Sequence, residues 1–310
     1  MANLMHNYYY GKAGKADYTP DQLPENRVQL FFEMLRIRFS GLVGLNLLYV
    51  LFSLPAIAWT SINVMMLNAS YNSETGQFAF NFVQDGYLMI YLLLMVPCLG
   101  IAGIGATGLM YVLRNWARDQ HSFVLSDFKD AIKGNWKQGL VIGLLNGLSL
   151  LLAFVSYIYY GQMASQSSVL FYIPQVFVVL LIAIWWMSNM IIYPMMVTYN
   201  FNLRQLIRNS MIMVVARLPF SVLFLLGSLA IPVICLIVPY GILIGSLFYL
   251  VIGFALTGFV YASYANSCFD KYLNPRIEGA QVGMGMRDPD AIREEEEEIA
   301  SMEDPNPIER

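Results

Sequence analysis

Six stretches of 20 to 30 residues contain no Asp, Glu, Lys, Arg or His: 40–67, 87–113, 138–160, 169–198, 219–238 and 241–264. About 20 predominantly apolar residues carry a helix across the roughly 30 Å of a bilayer's hydrocarbon, so each stretch is long enough to span one. The last two form one apolar run divided by Pro239-Tyr240-Gly241, where a missing backbone donor and a permissive glycine predict a tight hairpin. Runs one, two and four exceed the needed length, which predicts tilts or kinks, with Pro55, Pro97, Pro174 and Pro194 as the kink points. Composition agrees. Of 310 residues only 13% are charged, against about 25% in a soluble domain, and 57% are apolar with mean hydropathy +0.54. Lipid is therefore the solvent for most of the chain, which excludes a soluble globular enzyme and a disordered chain. A net charge of −3, with acids crowded at one end, offers no basic face to nucleic acid. Cys98, Cys235 and Cys268, odd in number and lacking pair spacing, give neither a disulfide framework nor a zinc site, and no cofactor is expected.

The basic residues orient the spans. Five fall before the first span (Lys12, Lys15, Arg27, Arg36, Arg38) and five between spans two and three (Arg114, Arg118, Lys129, Lys133, Lys137). Three lie between spans four and five (Arg204, Arg208, Arg217), and five follow span six (Lys271, Arg276, Arg287, Arg293, Arg310). Those are all 18, and the three alternate connections have none. Positive residues stay inside, which predicts a multi-pass cell-membrane protein with both termini cytoplasmic.

The connections carry some order of their own. Residues 24–38 place Val28, Phe31, Phe32 and Leu35 at helical spacing, as in an amphipathic surface helix or a basic membrane anchor. In 114–137, Ser126 and Asp127 are suited to cap a short helix whose Phe128, Ile132 and Trp136 recur every four residues. Residues 201–217 form a second such segment, so spans two–three and four–five resemble a weak parallel repeat. On the opposite side, Phe78, Phe80 and Phe82 alternate after Glu74-Thr75-Gly76. That pattern suits a short hairpin covering an outer mouth, or aromatics settled at headgroup level. Three regions result: a flexible Tyr-rich arm (1–23), a membrane domain (24–276), and an acidic tail (277–310) whose run Glu294 to Glu298 predicts disorder.

The spans hold little chemistry. Without an ionisable group at depth, proton coupling, ion pumping and voltage sensing lack their means, and an intramembrane protease lacks its dyad or metal ligands. Gly103-Ile104-Gly105-Ala106-Thr107-Gly108 spells a dinucleotide loop, but inside an apolar span it reads as a small-residue packing face. Uncharged polar residues remain: Asn46, Asn146, Gln175, Ser188, Asn189 and Asn200. Trp185 and Trp186 sit near the middle of span four, close to Asn189 and Tyr193, although tryptophan favours interfaces. A path along Asn46, Asn146, Trp185, Asn189 and Tyr193 would suit a small neutral solute. The same groups would equally serve interhelical hydrogen bonding and packing.

Several blocks, in order, resemble the YesL family of uncharacterised multi-pass membrane proteins of Gram-positive bacteria. They are NLLYVLFSLPAIAW (46–59), GATGLMYVLRNWARDQHSFVLSDFKDAIKGNWKQ (105–138), YPMMVTYNFNLRQLIRNSMIMVVARLP (193–219) and GFALTGFVYASYANSCFDKY (253–272). The resemblance implies no catalytic residues. It implies a setting beside sugar-uptake ABC transporters and glycoside hydrolases, hence an accessory part in oligosaccharide uptake. The fold expected is all-α, an integral membrane protein of six spans with amphipathic surface helices. The function expected is non-enzymatic, with permease or ATPase subunits as partners and Arg114, Arg118, Asp127, Phe128 and Trp136 as the contact surface. The alternatives are a facilitator or channel for a neutral solute, and a sensor signalling through the acidic tail.

Overall fold

The computed structural model describes residues 23–68, 71–72, 77–78, 87–238, 240–287 and 293. The Tyr-rich arm, Phe80 and Phe82 of the expected flap, and the glutamate run fall outside the described residues. Apart from one two-residue ladder the described chain is helical, and six of its helices are long and apolar enough to cross a membrane.

Helix α1 (Arg27–Ile37) begins at Asn26, whose side chain accepts from the Val28 and Gln29 N–H groups. It buries Leu30 and Met34, and Phe31 stacks on Phe259 at 4.9 Å, so this amphipathic helix packs on the bundle through its apolar stripe. Arg38 alone separates it from α2 (Phe39–Asn68). Beyond α2, Tyr71–Asn72 (β1) pairs antiparallel with Gln77–Phe78 (β2). Helix α3 (Tyr87–Trp116) follows, then α4 (Val124–Gln166).

Glycines let α3 and α4 meet backbone to backbone. A Cβ on Gly103 would collide with the Gly139 carbonyl, and one on Gly143 with the Leu99 carbonyl. The six-residue stretch singled out in α3 therefore packs, and its counterpart is the glycine row Gly139, Gly143, Gly147 of α4, the last against Val96.

The structure departs from expectation at α4. The short helix expected at 126–137 is not separate; it is the beginning of a helix 43 residues long. No proline falls between 124 and 166, and Gly134 is tolerated within a helix, so nothing breaks it near 137. At 1.5 Å per residue it measures about 65 Å, roughly twice the hydrocarbon thickness, so a single crossing leaves room for its charged first turns outside the hydrocarbon. Ser126 and Asp127 are not cap residues either, because the helix starts three residues before Asp127. The Asp127 carboxylate reaches back instead, accepting from the Ser122 hydroxyl (2.6 Å) and the Phe123 N–H (2.9 Å).

A single 3₁₀ turn, Val169–Phe171, leads into α5 (Tyr172–Met196). Helix α6 (Leu203–Ala216), the second amphipathic segment, opens with a full capping box between Asn202 and Gln205. It is a separate helix, divided from α7 (Leu218–Ile237) by Arg217, so the suggested repeat is unequal at its connections. The chain then reverses around Tyr240, in left-handed conformation at φ 60°, where Gly241 packs so closely on the Cys235 carbonyl that a Cβ would not fit. The sixth span consists of α8 (Gly241–Phe248), a π turn (Tyr249–Gly253) and α9 (Phe254–Tyr272).

The core lies towards the basic end, where Leu42, Leu113, Trp116, Ile192, Phe259 and Phe269 are at most 2% exposed. Only 6% of the most apolar window of span four or five is buried, against 28–33% in the other four. Residues 277–287, expected to belong to a disordered tail, fold back on this end. The Arg287 N–H donates to the Pro24 carbonyl (2.9 Å), and Gly283 and Gly285 supply the positive φ angles the return requires.

Candidate functional site

The end of α9 places Asn266 and Asp270 four residues apart on one face, and the 3₁₀ turn after it brings Asn274 beneath Asp270. Asp270 is the hub. It pairs with Arg27 of α1, and it accepts from Asn274 Nδ2 (2.6 Å) and the Gly283 N–H (3.1 Å). The Tyr199 hydroxyl, from the turn after α5, donates to Asn274 Oδ1 (2.6 Å). Arg118 completes the group from the turn after α3, 7% exposed and within the field of both Tyr199 and Asp270. Burial lowers the Arg118 pKa from its ordinary value, opposed by Asp270 and Tyr199. Burial pushes the Tyr199 phenol up to about 12, opposed by Arg118, so the hydroxyl stays a neutral donor through the physiological range. One turn inside, Arg114 Nη1 donates to Asn115 Oδ1 (2.7 Å), and Asn266 Nδ2 reaches the Arg114 carbonyl (3.4 Å). Among the described residues no three His, Cys, Asp or Glu gather as metal ligands would. The cluster offers charge and hydrogen bonds. It joins α1, α3, α9 and the turn after α5 at one end of the bundle.

The five expected contact residues divide. Arg114 and Arg118 are at the cluster, turned inward. Phe128 is 4% exposed, against Gly108 and near Phe52, and is a core residue. Asp127 secures the start of α4. Trp136 alone is largely free, 44% exposed with Lys137 over its ring, beside a surface cavity of about 450 Å³. That cavity lies between residues 133–138 of α4 and the turn 199–201, tied across by Gln138 Nε2 donating to the Phe201 carbonyl (3.0 Å). Lys133, Lys137 and Tyr199 share its wall, so it abuts the buried cluster through Tyr199.

The expected ligand-path residues divide too. Trp185 Nε1 donates to Asn146 Oδ1 (2.9 Å), Asn146 Nδ2 to Asn189 Oδ1 (2.9 Å), and Asn189 Nδ2 to the Trp185 carbonyl (3.0 Å). These three bond to one another and join α4 to α5. Tyr193 is buried in the core. Asn46 stands apart and serves the π turn. Its Nδ2 donates to the Tyr249 and Leu250 carbonyls (3.0 and 2.8 Å), and its Oδ1 accepts from the Ala255 N–H (2.9 Å). A π turn displaces the local hydrogen-bond ladder, and inside lipid the displaced groups need a partner.

Sequence reasoning missed Arg27, Tyr199, Asp270 and Asn274 as a group. Its one legible sign was the four-residue spacing of Asn266, Asp270 and Asn274, just past the last apolar run. No curated protein and no solved structure matches the chain. Over residues 42–157, from α2 through most of α4, the chain is similar to a family described as a protein of unknown function, DUF624.

Proposed function

We propose that the chain is a non-enzymatic accessory protein of the cell membrane that works beside a carbohydrate ABC transporter. Its basic end is the cytoplasmic side, with both termini there, and it docks the permease or ATPase subunits. The observation that carries this reading is the cavity beside Trp136. An exposed tryptophan and two lysines rim a concave surface on the charged first turns of α4, before its apolar run begins. Aromatic anchors in concave sites are where binding energy concentrates. The resemblance to the YesL family supplies the transporter and the Gram-positive setting. A solute path draws less support, because Asn146, Trp185 and Asn189 bond to one another and Asn46 is engaged by backbone groups.

The test is purification of the tagged chain from native membranes in mild detergent, with identification of what accompanies it. Wild type brings down permease and ATPase subunits in near-equal amount. Lys133→Glu with Lys137→Glu, at exposed positions that leave the fold intact, reduces that yield at least about tenfold. An unchanged yield, or no transporter subunit with wild type, overturns the reading. A cysteine at position 133 should react with an impermeant maleimide only after the cells are opened.

A further inference from the structure

On the same end of the bundle but away from Trp136, a groove of about 420 Å³ runs between α1, the start of α7 and α9. That size lies within the roughly 300–1,000 Å³ of small-molecule sites. Its walls are of two kinds. Phe31, Phe220, Phe224 and Val260 make an apolar trough, and Val28 and Phe220 at its edge are 65% and 52% exposed on the outside of the bundle. At the polar end stand Arg27 and Arg217 with the hydroxyl residues Ser263 and Ser267.

The charges do not balance. Arg27 is paired with Asp270, yet its Nη1 is buried without a partner. Arg217 donates to Ser267 Oγ (2.8 Å) and lies over the rings of Phe220 and Tyr264 (5.0 and 5.7 Å), and among the described residues it has no carboxylate. Among the described residues no acid lines the groove. Arg217 immediately precedes α7, a helix long and apolar enough to cross a membrane, and a guanidinium at the end of such a span belongs at headgroup level.

We infer that this groove holds one anionic glycerophospholipid from the leaflet on the basic side. Its phosphate lies against Arg217, the Ser263 and Ser267 hydroxyls and, behind them, Arg27. One acyl chain lies along Phe220, Phe224 and Val260. Guanidinium groups suit phosphate through charge-assisted bonds. The apolar trough distinguishes a lipid from free phosphate, which would leave it empty. The site is independent of the proposed transporter partner.

The experiment is native mass spectrometry of the full chain, purified and delipidated in a maltoside detergent. It is titrated separately with phosphatidylglycerol, with phosphatidylcholine of the same acyl chains, and with inorganic phosphate. One phosphatidylglycerol per chain should bind at least about tenfold more tightly than phosphatidylcholine, and millimolar phosphate should not displace it. Arg217→Gln should erase that preference by removing the charge. Ser263→Trp should lower binding of both lipids by filling the groove while both arginines remain. Equal binding of the two lipids, full displacement by phosphate, or a preference that survives both substitutions overturns the inference. The wild-type comparison decides even if a variant fails to fold.

Discussion

A single amide at residue 46 does work that apolar packing cannot. In α2 it faces the π turn of the sixth span, where two carbonyls and one N–H from a segment some 200 positions later converge on it. Leucine at this position would fill the space but remove three hydrogen bonds from the π turn and its flank, each worth about 0.5–1.5 kcal/mol net. Asn46→Leu should therefore lower the unfolding temperature in detergent, and it should raise hydrogen exchange at 249–255 more than in α3. A loss spread evenly over the molecule would contradict this assignment. The sequence made Asn46 conspicuous as a polar residue in an apolar run, but its partners are backbone groups, which have no signature in residue type. Arg118 and Phe128 posed the same difficulty. Their spacing was visible, whereas the direction of each side chain depended on α9 and on α2, far away in the chain.

At the scale of elements, the spans were legible because one property, the absence of charge over 20 or more residues, decides them. The continuity of α4 was not. Charges at Lys129, Asp130, Lys133 and Lys137 mark where the helix leaves the apolar layer, and polarity marks a boundary of solvent, not of hydrogen bonding. The partner of the α3 small-residue face was equally hidden, since the glycines of α4 gain meaning only beside those of α3. Their contact predicts a sharp contrast. Gly143→Leu would drive its side chain into the Leu99 carbonyl, so it should destabilise the chain by about 1–3 kcal/mol or prevent folding. Gly44→Leu, with nothing within 4 Å of its Cβ position, should be nearly silent. Thermal unfolding of the two variants in the same detergent measures the difference.

Across the whole molecule, packing is uneven. The basic end holds the dense core, with the buried second half of α5, and the Asp270 cluster, while the first half of α5 and most of α7 leave many side chains exposed. In lipid that exposure carries little penalty, because acyl chains are as apolar as leucine. Leu113→Ala, at a fully buried position, should cost about 2–5 kcal/mol, and Leu229→Ala, 48% exposed on α7, much less. Comparable losses at both would mean that another protein surface covers α7. Composition foretold the lipid solvent but not this gradient, which depends on how the helices assemble. The return of residues 283–287 to Pro24 has a topological result. The membrane domain is all but a closed ring, joined where the Arg287 N–H meets the Pro24 carbonyl. Whatever precedes residue 24 and whatever follows 287 leave from a common point, so cargo carried by one arm is tethered within reach of the other.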